Sequence, residues 1–174
     1  SGFMIIGLTG KYASGKGEMA KYLAAKGYHV VSLADVLREE VRARGLEADR
    51  ETLILIGQSL RREEGPGVLA KRLLPRLTGK DVVDSIRHPE EIRVLKGHDV
   101  TWVIGVDADP RLRFERLRQR NRFGDAITFE MFLDQERRED QSSIHSQQLS
   151  ACLAAADDRV LNDGDVQHLR QEVN

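Results

Sequence analysis

The chain has 174 residues, 40% of them hydrophobic and 32% charged, which suits one domain with a sizeable core and leaves no apolar run able to span a bilayer. Its 27 basic and 28 acidic residues nearly cancel, so no global positive field recruits nucleic acid, and only a local cluster could do so. Cys152 is the single cysteine: it excludes an internal disulfide, favours a reducing, cytoplasmic setting and reads as a buried free thiol. No signal peptide is legible, and Ser1-Gly2-Phe3 ahead of Met4 reads as an expression remnant. Without an internal repeat, low-complexity tract or Pro/Ser linker, residues 1–174 are expected to form one domain.

The apolar run Met4-Ile5-Ile6-Gly7-Leu8 predicts a strand buried on both faces. It leads into Gly10-Lys11-Tyr12-Ala13-Ser14-Gly15-Lys16-Gly17, which fits the first seven places of the phosphate-binding pattern G-x-x-x-x-G-K-[ST] and breaks the last. A helical pattern with Met19, Ala20, Leu23 and Ala24 follows. Strand, glycine loop and helix together give the pattern a mechanical meaning. The backbone N–H groups around Gly10, Ala13, Ser14, Gly15 and Gly17 and the helix start hold polyphosphate, and Lys16 reaches the outer phosphates. Gly17 offers no hydroxyl to a metal ion. Glu18 would repel polyphosphate unless it turns away or orders metal-bound water.

A second strand is expected near Tyr28 to Ser32, then a helix with Leu33, Leu37 and Val41 on one face and Asp35, Arg38 and Arg42 on another. That charged face is either a solvated stripe or a phosphate site, and its place after a strand favours the latter. Leu53, Ile56, Gly57 and Leu60 predict the next helix, and Leu69, Leu73 and Leu77 another. Val82-Val83-Asp84 is an apolar strand ending in a carboxylate, an arrangement that can hold magnesium, with Arg87 just beyond to grip a second phosphate. The competing reading is a capping Asp and a surface Arg. His88-Pro89 before Glu90 and Glu91, and Asp109-Pro110, read as helix starts, so His88 is expected as an N-cap rather than a catalyst. Gly27, Gly45 and Gly97 are expected helix stops.

After a strand over Thr101 to Val106 comes an arginine-rich helix in which Arg113, Arg116 and Arg120 share a face, with Leu112, Phe114 and Leu117 as packing positions. A nucleic-acid patch gains no support from the rest of the chain, whereas guanidinium groups stabilise the charge of a transferring phosphoryl group. A short loop after Arg122 and a helix with Arg137 and Arg138 suit a lid over about 120–138. Arg159 to Leu161 forms the last strand, followed by a turn, Asn162-Asp163-Gly164, whose backbone can line a purine pocket. The alternation predicts an α/β fold, a doubly wound parallel five-stranded sheet flanked by helices, with its ligand at the carboxyl ends of the strands.

These pieces, in this order, resemble small P-loop kinases of the nucleoside monophosphate kinase and dephospho-CoA kinase group, over most of the chain. The likeness is strongest to a poorly characterised branch marked by Asp35-Val36-Leu37-Arg38-Glu39 with Arg44-Gly45-Leu46, by Leu60-Arg61-Arg62-Glu63-Glu64-Gly65, and by Asp84-Ser85-Ile86-Arg87. Ala156-Asp157-Asp158 with Asn162-Asp163-Gly164 resembles the ending of dephospho-CoA kinases, whose loop lies beside the ATP base. The resemblance implies ATP and Mg2+ as cofactors, with Lys16 on the β/γ-phosphates and Asp84 supporting the metal. It implies Asp35, Arg38, Arg62 and Arg87 on the acceptor, Arg116 against adenine with Asn162 and Gly164 nearby, and Arg120 with Arg137 or Arg138 reaching phosphates. Residues of about 33–77 become the acceptor-binding segment. Adenylate-kinase-type loops run Gly-Lys-Gly-Thr, so Gly17 fits the group and Glu18 is the departure. Ser85 departs too, from a glycine, and Arg50 to Leu77 does not follow dephospho-CoA kinases. The expected activity is phosphoryl transfer from ATP to a small nucleotide-like acceptor, above all a nucleoside or deoxynucleoside monophosphate. The alternatives are dephospho-CoA, a modified nucleotide within DNA or RNA, and a non-catalytic ATP-binding regulator. No membrane association is expected, and oligomeric state is open.

Overall fold

The structure, a computed structural model, describes residues 4–120, 127–141 and 143–163. Five strands, β1 (Met4–Thr9), β2 (His29–Ser32), β3 (Lys80–Ile86), β4 (Thr101–Asp107) and β5 (Asp158–Leu161), pair in parallel in the order β2-β3-β1-β4-β5. Around them lie α1 (Lys16–Ala25), α2 (Leu33–Ala43), α3 (Arg50–Glu64), α4 (Val68–Leu73), α5 (Pro89–His98), α6 (Pro110–Gln119), α7 (Phe129–Gln141) and α8 (Leu149–Ala155).

The strands read as unbroken apolar runs because helices cover both faces of the sheet. Ile5, Val83 and Val103 pack with Leu33, Leu37 and Val41 of α2, Leu69 and Leu73 of α4, Leu95 of α5 and Cys152 of α8. On the other face, Ile6, Leu8, Val82, Ile104, Val106 and Val160 meet Met19, Ala20 and Leu23 of α1. A third cluster, Phe114, Leu117 and Phe132, joins α6 to α7, with the two phenylalanine rings 5.4 Å apart.

Local chemistry sets the helix ends. Asp109 accepts the Arg111 N–H at 2.9 Å with Pro110 behind it. His88 Nδ1 accepts the Glu90 N–H at 3.1 Å, and Glu91 reaches back to the His88 N–H at 3.0 Å, a capping box that uses His88 as the expected N-cap. Gly27 and Gly45 take φ +98° and +74° just beyond α1 and α2. Two expectations need correction. Gly97 lies inside the last turn of α5, which runs on to His98 before Asp99 becomes extended. Leu77 is not helical: α4 ends at Leu73, and a 3-10 turn over Leu74–Arg76 follows, because Pro75 has no N–H to continue the ladder.

No helix among the described residues is long and apolar enough to cross a membrane. The carboxyl ends of β1, β2 and β3 adjoin one another, and the chain leaves them at the glycine loop, at α2 and at the segment before α5.

Candidate active site

The glycine loop is held in shape by close approach. A Cβ on Gly10 would lie 2.3 Å from the Val106 carbonyl oxygen, and one on Gly15, at φ +96°, would lie 2.0 Å from Asn162 Nδ2. Ala13 is also left-handed, at φ +62°. Asn162 Nδ2 donates to the Ser14 carbonyl at 3.0 Å. Arg116 donates to the carbonyls of Ala13 (2.8 Å) and Asn162 (3.2 Å), so it and Asn162 tie the loop to the segment after β5. Ser14 Oγ and Asn162 Oδ1 are buried here with no hydrogen-bond partner among the described residues. Gly17 differs: a Cβ there would meet nothing within 4 Å, so sterics do not impose its lack of a hydroxyl. Glu18 engages Lys21, one turn further along α1, at 3.4 Å.

Lys16 opens α1 and its ammonium lies 3.5 Å from Asp84 Oδ1 and 3.4 Å from Ser85 Oγ at the end of β3. Burial pulls the Lys16 ammonium below its ordinary pKa, the Asp84 carboxylate opposes this, and the Arg87 and Arg38 guanidinium groups act with burial. Three cations from three segments therefore share one electrostatic neighbourhood. Asp84 Oδ1 also accepts the Ser85 N–H at 2.7 Å. Arg38 pairs with Asp35 at 2.8 Å on the exposed side of α2.

Arg87 is fixed along its backbone and its side chain. Its N–H donates to Glu91 Oε1 (2.8 Å), its carbonyl accepts the Gln148 N–H (2.7 Å), and its guanidinium sits 5.4 Å from the Tyr12 ring centroid. Tyr12 in turn donates to Gln147 Oε1 at 2.9 Å and carries Arg50 on its ring at 5.3 Å. Arg62 is exposed on α3, away from this network. Its neighbour Arg61 is buried instead and donates to the His145 carbonyl at 3.2 Å. Sequence reasoning missed Arg61. The signal was Gly57 one turn earlier in α3, where a Cβ would lie 3.5 Å from the Arg61 guanidinium.

Arg113 corrects an expectation, since the sequence groups it with Arg116 and Arg120 on one phosphate-directed face. It is 1% exposed and makes two parallel bonds to Glu136 of α7 (2.8 and 3.0 Å), so it packs α7 against α6 instead of joining Arg116 at the loop or Arg120 in solvent. Its phase was the clue, because Arg113, Phe114 and Leu117 fall on the buried stripe of α6. Arg120 is exposed at the end of α6, and after burial its charge is the main influence lowering the Arg116 pKa. Arg137 and Arg138 are exposed on α7 and both pair with Asp134. Arg137 also lines a cavity of about 500 Å³ between α6, α7 and α8. Gly164 and residues 121–126 of the expected lid lie outside the described residues.

The donor set suits ATP: a loop with left-handed backbone, two glycines that admit no Cβ, and a lysine at the helix start. The carboxylate beside Lys16 is Asp84, and among the described residues no group of three His, Cys, Asp or Glu side chains gathers to hold a metal ion by itself. That fits an ion bound largely through substrate phosphates.

Residues 6–142 match the family described as "AAA domain". The UPF0200 protein of Pyrococcus abyssi is 35% identical over 179 residues, covering 98% of this chain and 93% of the relative. That of Thermococcus gammatolerans is 32% identical, covering 98% and 92%. Among solved structures, a shikimate kinase from Acinetobacter baumannii in complex with shikimate aligns with a TM-score of 0.60 at 17% identity, covering 97% of this chain and 89% of that one. A shikimate kinase from Bacteroides thetaiotaomicron gives a TM-score of 0.60 at 15% identity and covers 98% of both chains. Those identities speak for the fold alone, and the fold is that of small P-loop kinases. With a phosphate loop at the carboxyl edge of a five-stranded parallel sheet and relatives matched nearly end to end, the chain belongs to the UPF0200 family.

Proposed function

We propose that this protein transfers the γ-phosphoryl group of ATP to a phosphate of a nucleotide-like acceptor, a nucleoside or deoxynucleoside monophosphate. The observation that carries the reading is Lys16 of the glycine loop standing 3.5 Å from Asp84 at the end of β3, with the charges of Arg38 and Arg87 both felt at its ammonium. One cation belongs to the loop that holds a polyphosphate. The other two follow neighbouring strands, Arg38 on α2 and Arg87 just beyond β3, and would form a second anion site, as a phosphate acceptor needs. Between the two sites, charge spreads over the transferring group, and fixed positive groups stabilise it without reorganising. Magnesium, when bound with ATP, neutralises part of the polyphosphate charge, and Asp84 is the carboxylate placed to hold it.

A phosphate acceptor arrives already deprotonated enough to attack, so positioning does the chemistry and no general base is required. Asp35, exposed and paired to Arg38, then serves to orient that arginine. An alcohol acceptor would need a base, and Asp35→Asn separates the cases: a rate loss on the order of a hundredfold with binding intact points to an alcohol, and an unchanged rate to a phosphate.

The test mixes protein and MgATP with nucleoside and deoxynucleoside monophosphates, dephospho-CoA and oligonucleotides and follows ADP. Acceptor-dependent release with a monophosphate is the expected result, abolished by Lys16→Ala. Firm ATP binding with ADP release on none of them would overturn the kinase reading in favour of an ATP-binding regulator.

A further inference from the structure

The strand β3 does not end regularly. Its pairing with β1 passes from Gly7 opposite Val83 to Thr9 opposite Ile86, so one extra residue is taken up in β3. Within that step Ser85 adopts φ +63°. In a regular strand Asp84 and Ser85 would point to opposite faces. Here both reach the same ammonium: Asp84 Oδ1 lies 3.5 Å and Ser85 Oγ 3.4 Å from Lys16 Nζ. Bulges beside a site re-aim side chains in this way. Among the described residues, Ala13 and Ser85 are the two non-glycine positions with positive φ, one in the phosphate loop and the other across from Lys16. Glycine would hold position 85 without strain, whereas serine keeps the strain and adds a hydroxyl.

The hydrogen bonds of that hydroxyl define what it can do. A serine hydroxyl has one donor and two acceptor positions. Both acceptor positions are filled, by Ser32 Oγ donating at 3.1 Å and by Lys16 Nζ at 3.4 Å. Ser32 Oγ itself accepts the Ala34 N–H at 3.2 Å. The Ser85 proton is therefore free to donate, with no acceptor among the described residues. Two donors on one oxygen polarise its O–H bond and strengthen it as a donor.

We propose that Ser85 is a phosphate-contacting residue: its O–H donates to an oxygen of the polyphosphate held by Lys16, supplying a hydroxyl to a site whose chain has none at Gly17 or Glu18. The proton stays on Ser85, so the contact is a hydrogen bond to an anion and no covalent bond changes. The inference rests on reading the loop as the ATP site.

Calorimetry with inorganic triphosphate and with MgATP, paired with thermal melts, tests it on the wild type, Ser85→Gly and Ser85→Ala. Loss of a hydrogen bond to a charged group predicts about tenfold or weaker binding of both probes by each variant. Ser85→Gly should melt no lower than the wild type, because it relieves the left-handed strain, and Ser85→Ala should melt below Ser85→Gly. Binding by Ser85→Gly within about twofold of the wild type would overturn the proposal. So would a lower melting temperature for the glycine variant, which would remove the strain argument. A wild type that binds neither probe would instead overturn the ATP reading. A wild type that binds both without acceptor-dependent ADP release would overturn only the kinase reading and leave Ser85 judged by its variants.

Discussion

The Arg113–Glu136 pair is the interaction whose removal should be felt most. Arg113 makes two parallel bonds to Glu136 and donates to the Ala108 carbonyl at 3.3 Å, while its guanidinium lies 5.4 Å from the Phe132 ring centroid. The two side chains are 2% and 14% exposed, so solvent screens little of their attraction. Removing one partner of a buried pair strands the other charge at a cost of about 3–5 kcal/mol. For a chain of this size that is a fall of roughly 10 °C in melting temperature. The two single losses should differ. Arg113→Met leaves a carboxylate that can protonate or reach water, but Glu136→Met leaves a guanidinium that does neither, so Glu136→Met should be the worse. The double variant removes both charges and keeps apolar volume between α6 and α7, so it should be near neutral or more stable than either single variant. Urea and thermal unfolding of the four proteins measure this. Singles within about 1 kcal/mol of the wild type, or a double as unstable as the singles, would refute a charge-locked α6–α7 junction.

Gly15→Ala places a side chain at φ +96° and 2.0 Å from Asn162 Nδ2, so it should weaken ATP binding by roughly tenfold or more in calorimetry, since backbone strain adds to the lost Asn162–Ser14 bond; unchanged binding would refute the steric reading. Asp81 is buried and accepts from the Thr78 N–H, the Thr78 hydroxyl, the Gly79 N–H and His29; burial opposes its ionisation, yet these bonds together hold its carboxyl below the ordinary value. Asp81→Asn should cost about 1–3 kcal/mol at pH 7, and the gap should close as pH falls from about 4 through the lowered native value, where the wild-type carboxylate protonates; a gap that widens in acid would contradict this. Burial pushes the Cys152 thiol up to about 12, so it should resist thiol reagents at pH 8 until the protein unfolds, and rapid labelling of the folded chain would show the site to be open.

The strands and most helix ends were legible because short-range rules decide them. β1, β3 and β4 are buried on both faces and so appear as apolar runs, while Asp109-Pro110 and His88-Pro89-Glu90-Glu91 carry their capping chemistry in adjacent residues. Arg61 and Arg113 carried only faint signals of burial, Gly57 and the phase of α6, because an arginine is read as surface until its partners across the fold are known. The bulge at Asp84-Ser85 was equally hidden, since period-two alternation assigns the two residues to opposite faces and only the pairing of β3 with β1 overrides it.

What the chain could least reveal about the site is strand order, and order is what divides the charges. Sequence places Lys16 after β1, Arg38 after β2 and Arg87 after β3, three positions far apart in the chain. The arrangement β2-β3-β1 makes those strands consecutive neighbours, so the segments that carry the three cations leave one stretch of the sheet edge whatever their separation in sequence. Arg116 and Asn162 follow β4 and β5, which lie beyond β1, and they bind the loop from the other side. The topology thus separates side chains that shape the loop from those proposed to face its cargo. The rule that ligands bind at the carboxyl ends of parallel strands names the edge of the sheet but not which side of the loop each arginine serves. The second anion site proposed beside Lys16 would therefore be a consequence of where β3 inserts, between β2 and β1, and would be lost in any strand order that separated them.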